Sequence, residues 1–67
     1  MKRKFKKGDV MFICENGIQT NQNTNLDQDR ELGVGDVFEW RLSDKVEFTK
    51  FKLLSIGFPL MVEEVLD

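Results

Sequence analysis

From Val37 to Leu42, apolar and charged side chains alternate: Phe38, Trp40 and Leu42 fall on one face of an extended chain, Glu39 and Arg41 on the other. That spacing is the signature of a half-buried β-strand. Ser43-Asp44-Lys45 reads as a turn, because Ser and Asp side chains bond nearby backbone amides, and Val46 opens a return strand. With a three-residue loop Leu42 faces Val46 and Trp40 faces Phe48, but Phe38 would face Lys50. A β-bulge near Thr49-Lys50 brings Phe51 opposite Phe38 and keeps the inward face apolar. Beyond it Leu53, Leu54 and Ile56 are apolar on both sides of the pleat, as expected where a strand bends from one layer of a small barrel into the other.

The rest of the chain is built from similar short runs. Val10 to Cys14 is apolar without interruption and reads as a central strand covered on both faces. Asn16-Gly17 suits a tight hairpin, since both residues reach positive φ cheaply, with Ile18 to Thr20 as a brief return. From Gln19 to Glu31 the sole apolar residue is Leu26, so this segment reads as an exposed polar loop. Asn25 could cap one helical turn over Leu26 to Glu31. After Gly57, Phe58-Pro59 stops the long strand. Leu60 to Leu66 reads as a closing strand with Leu60 and Val62 inward, although a short helix started by Pro59 fits the same pattern. At 67 residues the chain holds one domain, and its 22 Leu, Ile, Val and Phe residues are enough to fold it. The expectation is an all-β domain, a small antiparallel five-stranded barrel with a strongly bent sheet.

There is no His and only one Cys, which removes disulfide scaffolds, Cys and His zinc sites and His-dependent catalytic dyads. The composition points to a non-enzymatic protein with no catalytic residue, no cofactor and no metal. Cys14 reads as a buried, reduced thiol. Asp27, Asp29 and Glu31 alternate, but neither the turn Gly nor the terminal Glu of a calcium loop is in register. Gly33-Val34-Gly35 lacks the third Gly and the helix of a dinucleotide site. Gly8-Asp9-Val10 and Gly35-Asp36-Val37 stand 27 residues apart, each ahead of an apolar strand. Turn closure by Gly and Asp accounts for both better than a pair of carboxylates acting as acid and base. Trp40, in phase with Phe38 and Leu42, reads as core rather than as a platform for stacking bases.

Charge is distributed unevenly. Lys2, Arg3, Lys4, Lys6 and Lys7 put five positive charges into the first seven residues, while the other sixty carry a net −7. This basic N-terminal segment could contact phosphates with salt-dependent affinity, or be a solvated tip. The run behind it is too short for a secretory signal, and no stretch has the length of a membrane helix, so a cytoplasmic protein without membrane association is expected. Phe58 with Pro59 and Met61 forms the remaining apolar cluster, either a docking patch or a plug for the barrel end.

Phe5-Lys6-Lys7-Gly8-Asp9-Val10 and Leu32-Gly33-Val34-Gly35-Asp36-Val37-Phe38-Glu39 resemble recurring elements of short phage and prophage proteins with a Src-homology-3-like small barrel. The likeness covers about the first two-thirds of the chain. It implies a fold, a viral origin and no catalytic residue. The function expected is a protein-interaction module that binds and modulates a host or viral protein, with homodimerisation through edge strands as a further expectation. The alternative is a nucleic-acid-binding barrel using Lys2 to Lys7. The partner-binding candidates are therefore Lys2, Arg3, Lys4, Lys6, Lys7, Phe58 and Met61.

Overall fold

A computed structural model describes residues 1–41, 48–57 and 60–66. They form seven strands: β1 (Lys2–Phe5), β2 (Val10–Glu15), β3 (Ile18–Asn25), β4 (Arg30–Gly33), β5 (Val37–Trp40), β6 (Thr49–Ser55) and β7 (Leu60–Glu64). β1 and β4 make a two-stranded ribbon, and the others a five-stranded sheet in the order β3-β2-β7-β6-β5. Phe5 and Leu32 of the ribbon join Met11, Leu26, Phe38, Phe51, Leu53, Leu60 and Val62 in one core. The all-β expectation holds, but the sheet is mixed rather than purely antiparallel, because β7 runs parallel to β2 and antiparallel to β6. It is also not a closed barrel: among the described residues no backbone ladder joins β3 to β5.

Three elements follow the pattern reading. β2 is central, although Val10 is exposed, so it is not covered along its whole length. Asn16 and Gly17 turn the hairpin with φ of 54° and 78°. The last segment is a strand with Leu60 and Val62 inward. Phe38 does face Phe51, but the ladder from Val37↔Lys52 to Trp40↔Thr49 keeps one register throughout, so no bulge falls at Thr49-Lys50. Trp40 therefore meets Thr49. One step further along that register Phe48 comes beside Arg41 on the outer face, and it is 59% exposed instead of buried. The register shift in β6 lies between Leu53 and Ser55, against β7. Leu42, Val46 and the turn Ser43 to Lys45 lie outside the described residues.

The segment Gln19 to Glu31 is corrected more fully. Most of it is strand: β3 pairs with β2, β4 pairs with β1, and no helical turn forms at Leu26 to Glu31. β3 buries little, so its side chains carry no period-two signal. Its backbone supplies the ladder, and Leu26 just beyond it is 2% exposed. The basic N-terminal segment likewise is largely strand, with Lys4 opposite Glu31.

The 27-residue spacing proves structural. Lys6 to Asp9 and Gly33 to Asp36 form matching turns: Asp9 N–H donates to Lys6 C=O and Asp36 N–H to Gly33 C=O, both at 3.0 Å. Gly8 and Gly35 sit at φ of 95° and 92°, where a side chain would be strained. Each Asp carboxylate accepts the N–H of the turn's first residue. Gly8 N–H and Asp9 C=O bond the backbone of Leu26, as Gly35 N–H and Asp36 C=O bond that of Leu53. The pairings Val10↔Asn25, Met11↔Thr24 and Phe12↔Asn23 recur as Val37↔Lys52, Phe38↔Phe51 and Glu39↔Lys50. Buried Phe5, Met11 and Leu26 correspond to buried Leu32, Phe38 and Leu53. The chain is a duplicated strand-turn-hairpin unit plus β7.

Candidate functional site

The two ends of the five-stranded sheet, β3 and β5, are joined by side chains. Arg30 Nε and Nη2 donate to the two carboxylate oxygens of Asp27, each at 3.1 Å. Nη2 also donates to Glu39 C=O, and the guanidinium lies 5.0 Å above the Phe38 ring. Asp27 accepts a third bond, at 3.2 Å, from Arg41 N–H. Trp40 Nε1 donates to Asn25 C=O at 3.0 Å, while its ring meets Phe51 edge-on at 5.6 Å. The Asp27 and Arg30 side chains are only 10% and 18% exposed. Burial pushes the Asp27 carboxyl up, but hydrogen bonds from Arg30 and Arg41 N–H outweigh it and hold the group below its ordinary value. The sequence reading placed Asp27 in a solvated loop. Asp27-x-x-Arg30 carries no distinguishing mark until β5 is folded against it.

Beside this seam is an open groove of about 310 Å³ lined by Glu39, Phe48, Thr49, Lys50, Glu64 and Leu66. Phe48 is held from above by Arg41, whose guanidinium lies 5.0 Å from the ring centre. Leu66, which also lines it, is 83% exposed. Phe48 was assigned to the core on its spacing; the ladder's single register is what turns it out.

Of the expected basic contact residues, Lys2, Arg3 and Lys4 lie on β1 and Lys6 and Lys7 in the turn after it. Lys2 Nζ lies 3.5 Å from Asp36, and Arg3 Nη1 donates to Ile56 C=O at 2.9 Å. A hydrogen bond from Gly33 N–H, more than the neighbouring Lys2, holds the Asp36 carboxyl below its ordinary value. Lys4, Lys6 and Lys7 are exposed, with the Lys6 and Lys7 backbone N–H groups taken by Asp9 and Asp29. Met61 is half-buried beside Phe12. Phe58 lies outside the described residues, so the Phe58–Met61 cluster is represented by Met61 alone. Asp9 and Asp36 each close their own turn, which accounts for both carboxylates without acid and base roles. Cys14 is buried; burial, reinforced by the charge of Glu63, pushes its thiol up and leaves it a weak nucleophile. Among the described residues no cluster of His, Cys, Asp and Glu could hold a metal ion, and no helix is long and apolar enough to cross a membrane.

Comparison with family models, with curated proteins and with solved structures finds no match to this chain.

Proposed function

We propose that this chain is a non-enzymatic protein-interaction module that binds and modulates another protein, a host or viral one if the likeness to phage accessory proteins reflects its origin. The observation that carries this reading is the groove at Phe48. An aromatic ring 59% exposed, with an arginine stacked on it and Leu66 in the same groove, has the composition of a docking anchor. Phe and Arg are enriched at protein interfaces, and truncating one central anchor typically removes most of the affinity. At the groove Glu39 and Glu64 are balanced by Lys50 and Arg41, so the preference for a basic partner surface comes from the acidic chain as a whole, with a sequence pI near 5.0. The seam between β3 and β5 supports a Src-homology-3-like arrangement, with side chains spanning the gap in an incomplete barrel.

Exposed Lys4, Lys6 and Lys7 favour the second reading, nucleic-acid binding, but Lys2 and Arg3 are already engaged within the chain. One experiment separates the two. The intact chain, a Phe48→Ala variant and a variant with Lys2 to Lys7 neutralised are used to capture binders from the native cell. One protein retained by the intact and neutralised chains and lost at least tenfold with Phe48→Ala is the expected result. Capture unaffected by Phe48→Ala overturns the groove as the site. A nucleic-acid signal that disappears on neutralisation establishes the second reading.

A further inference from the structure

The duplicated unit has two equivalent positions for a strand, and the described chain fills one. β7 lies between β2 and β6: Phe12 and Cys14 pair with Met61 and Glu63, and Lys52 pairs with Glu63 from the other side. The residues 27 positions away from Phe12, Cys14 and Lys52 are Glu39, Arg41 and Asn25. These three backbones face each other across the seam between β5 and β3. No strand lies between them among the described residues. Side chains meet the backbone groups instead: Arg30 bonds Glu39 C=O, Asp27 bonds Arg41 N–H and Trp40 bonds Asn25 C=O.

We infer that the seam is a latched strand-acceptor slot, which takes an extended peptide segment of a partner protein running parallel to β5 and antiparallel to β3. The occupant is defined by its counterpart. β7 enters its slot with Leu60 and Val62 buried and Met61 and Glu63 on the opposite face, so the partner segment carries apolar residues at alternate positions and tolerates polar ones between. Main-chain bonds to β3 and β5 supply the attraction common to strand addition, and the core side of the slot selects the apolar positions. β3 suits this role. The run from Asn16 to Leu26 has no charged residue and no Pro, the usual devices that keep an edge from pairing. On the β5 side the latch is Arg30, held by Asp27, so entry exchanges three side-chain bonds for ladder bonds. The slot uses the backbones of Glu39 and Arg41, whose neighbouring Phe48 groove it adjoins, but its test reads strand addition at the seam and is decided whether or not Phe48 anchors a partner.

The test adds a synthetic peptide of residues 60–66, Leu-Met-Val-Glu-Glu-Val-Leu, to the intact protein. A Val62→Pro peptide serves as control. Trp40 is the sole Trp, so the expected result is a saturable fluorescence change with the first peptide, at least tenfold weaker with the second. Amide exchange should slow at Asn25, Glu39 and Arg41 and stay unchanged in β2. Trp40→Phe, which keeps an aromatic ring but removes both the indole donor and the fluorophore, should bind the peptide several-fold tighter, read from the peptide concentration that gives half-maximal amide protection at Glu39 and Arg41. Protection confined to β2 and β6 would mean that the peptide merely replaces β7, and would overturn the slot. So would unchanged fluorescence and exchange up to millimolar peptide, or peptide binding that weakens in Trp40→Phe while the variant stays folded by circular dichroism. Exchange protection that rises with protein concentration alone would assign the seam to a second copy and overturn the partner segment.

Discussion

Asp27 is the residue on which the seam depends. It accepts both arms of Arg30 and the Arg41 N–H, so three hydrogen bonds depend on this one carboxylate. Its folded pKa lies below the unfolded value, and a group shifted in that direction stabilises the fold fully above its unfolded pKa of about 3.9. The contribution is lost as pH falls through the lower, folded pKa. Asp27→Asn should cost about 2 kcal/mol at pH 7, as for charge-assisted bonds at a poorly exposed site, lowering the melting temperature by roughly 10 °C in so small a domain. The gap between variant and parent should narrow as pH falls below the ordinary carboxylate range and the folded group takes up its proton; a gap that stays constant through the acid range in urea titrations would mean that packing, not charge, holds the clasp. Phe48 shows the converse at this scale. Its sequence neighbours say only that it is apolar, and a one-residue choice of register decides between core and surface.

Among the elements, the two Gly-Asp turns make a matched pair. Each places Gly at a φ that a side chain resists, with open space where a Cβ would stand, so Gly8→Ala and Gly35→Ala test backbone strain alone. Each should cost about 1–2 kcal/mol, read as a lower urea midpoint with an unchanged slope, and the two costs should agree closely because the backbone hydrogen bonds around them are the same. A large difference would show that one turn carries more than its local geometry. Legibility in the sequence divided along the same physical line. Elements that bury side chains were readable: β2 by its apolar run, β5 by alternation, β7 by Leu60 and Val62, and the hairpin by the positive φ demanded of Asn16-Gly17. β1, and β3 beyond its first residues Ile18 to Thr20, were not, because nearly all their side chains face water and only the backbone pairs. The parallel contact of β2 with β7 was hidden for another reason: it joins residues about fifty positions apart, and local pattern says nothing of that. At the candidate site Trp40 was recognised as packing inward, whereas Asp27 and Arg30 became a clasp only through β5.

At the scale of the molecule, two copies of a strand-turn-hairpin unit lean on one unduplicated strand. β7 is hydrogen-bonded on both sides, and its Leu60 and Val62 lie among Met11, Leu53 and Phe51 at the centre of the core. Complete burial of two such side chains is worth about 3–6 kcal/mol. A single core in a domain this small seldom supplies more than about 3–5 kcal/mol in all. Losing β7 would therefore remove the whole margin, together with the ladders that hold β2 to β6. A chain ending at Gly57 should show no cooperative thermal transition and a Trp40 emission at the wavelength of a solvated indole, even though both copies of the repeat are retained. If that truncated chain instead melted cooperatively, each 27-residue unit would have to find its core in its own pair, Met11 with Leu26 and Phe38 with Leu53, and the dependence on a strand lodged between the halves would be refuted.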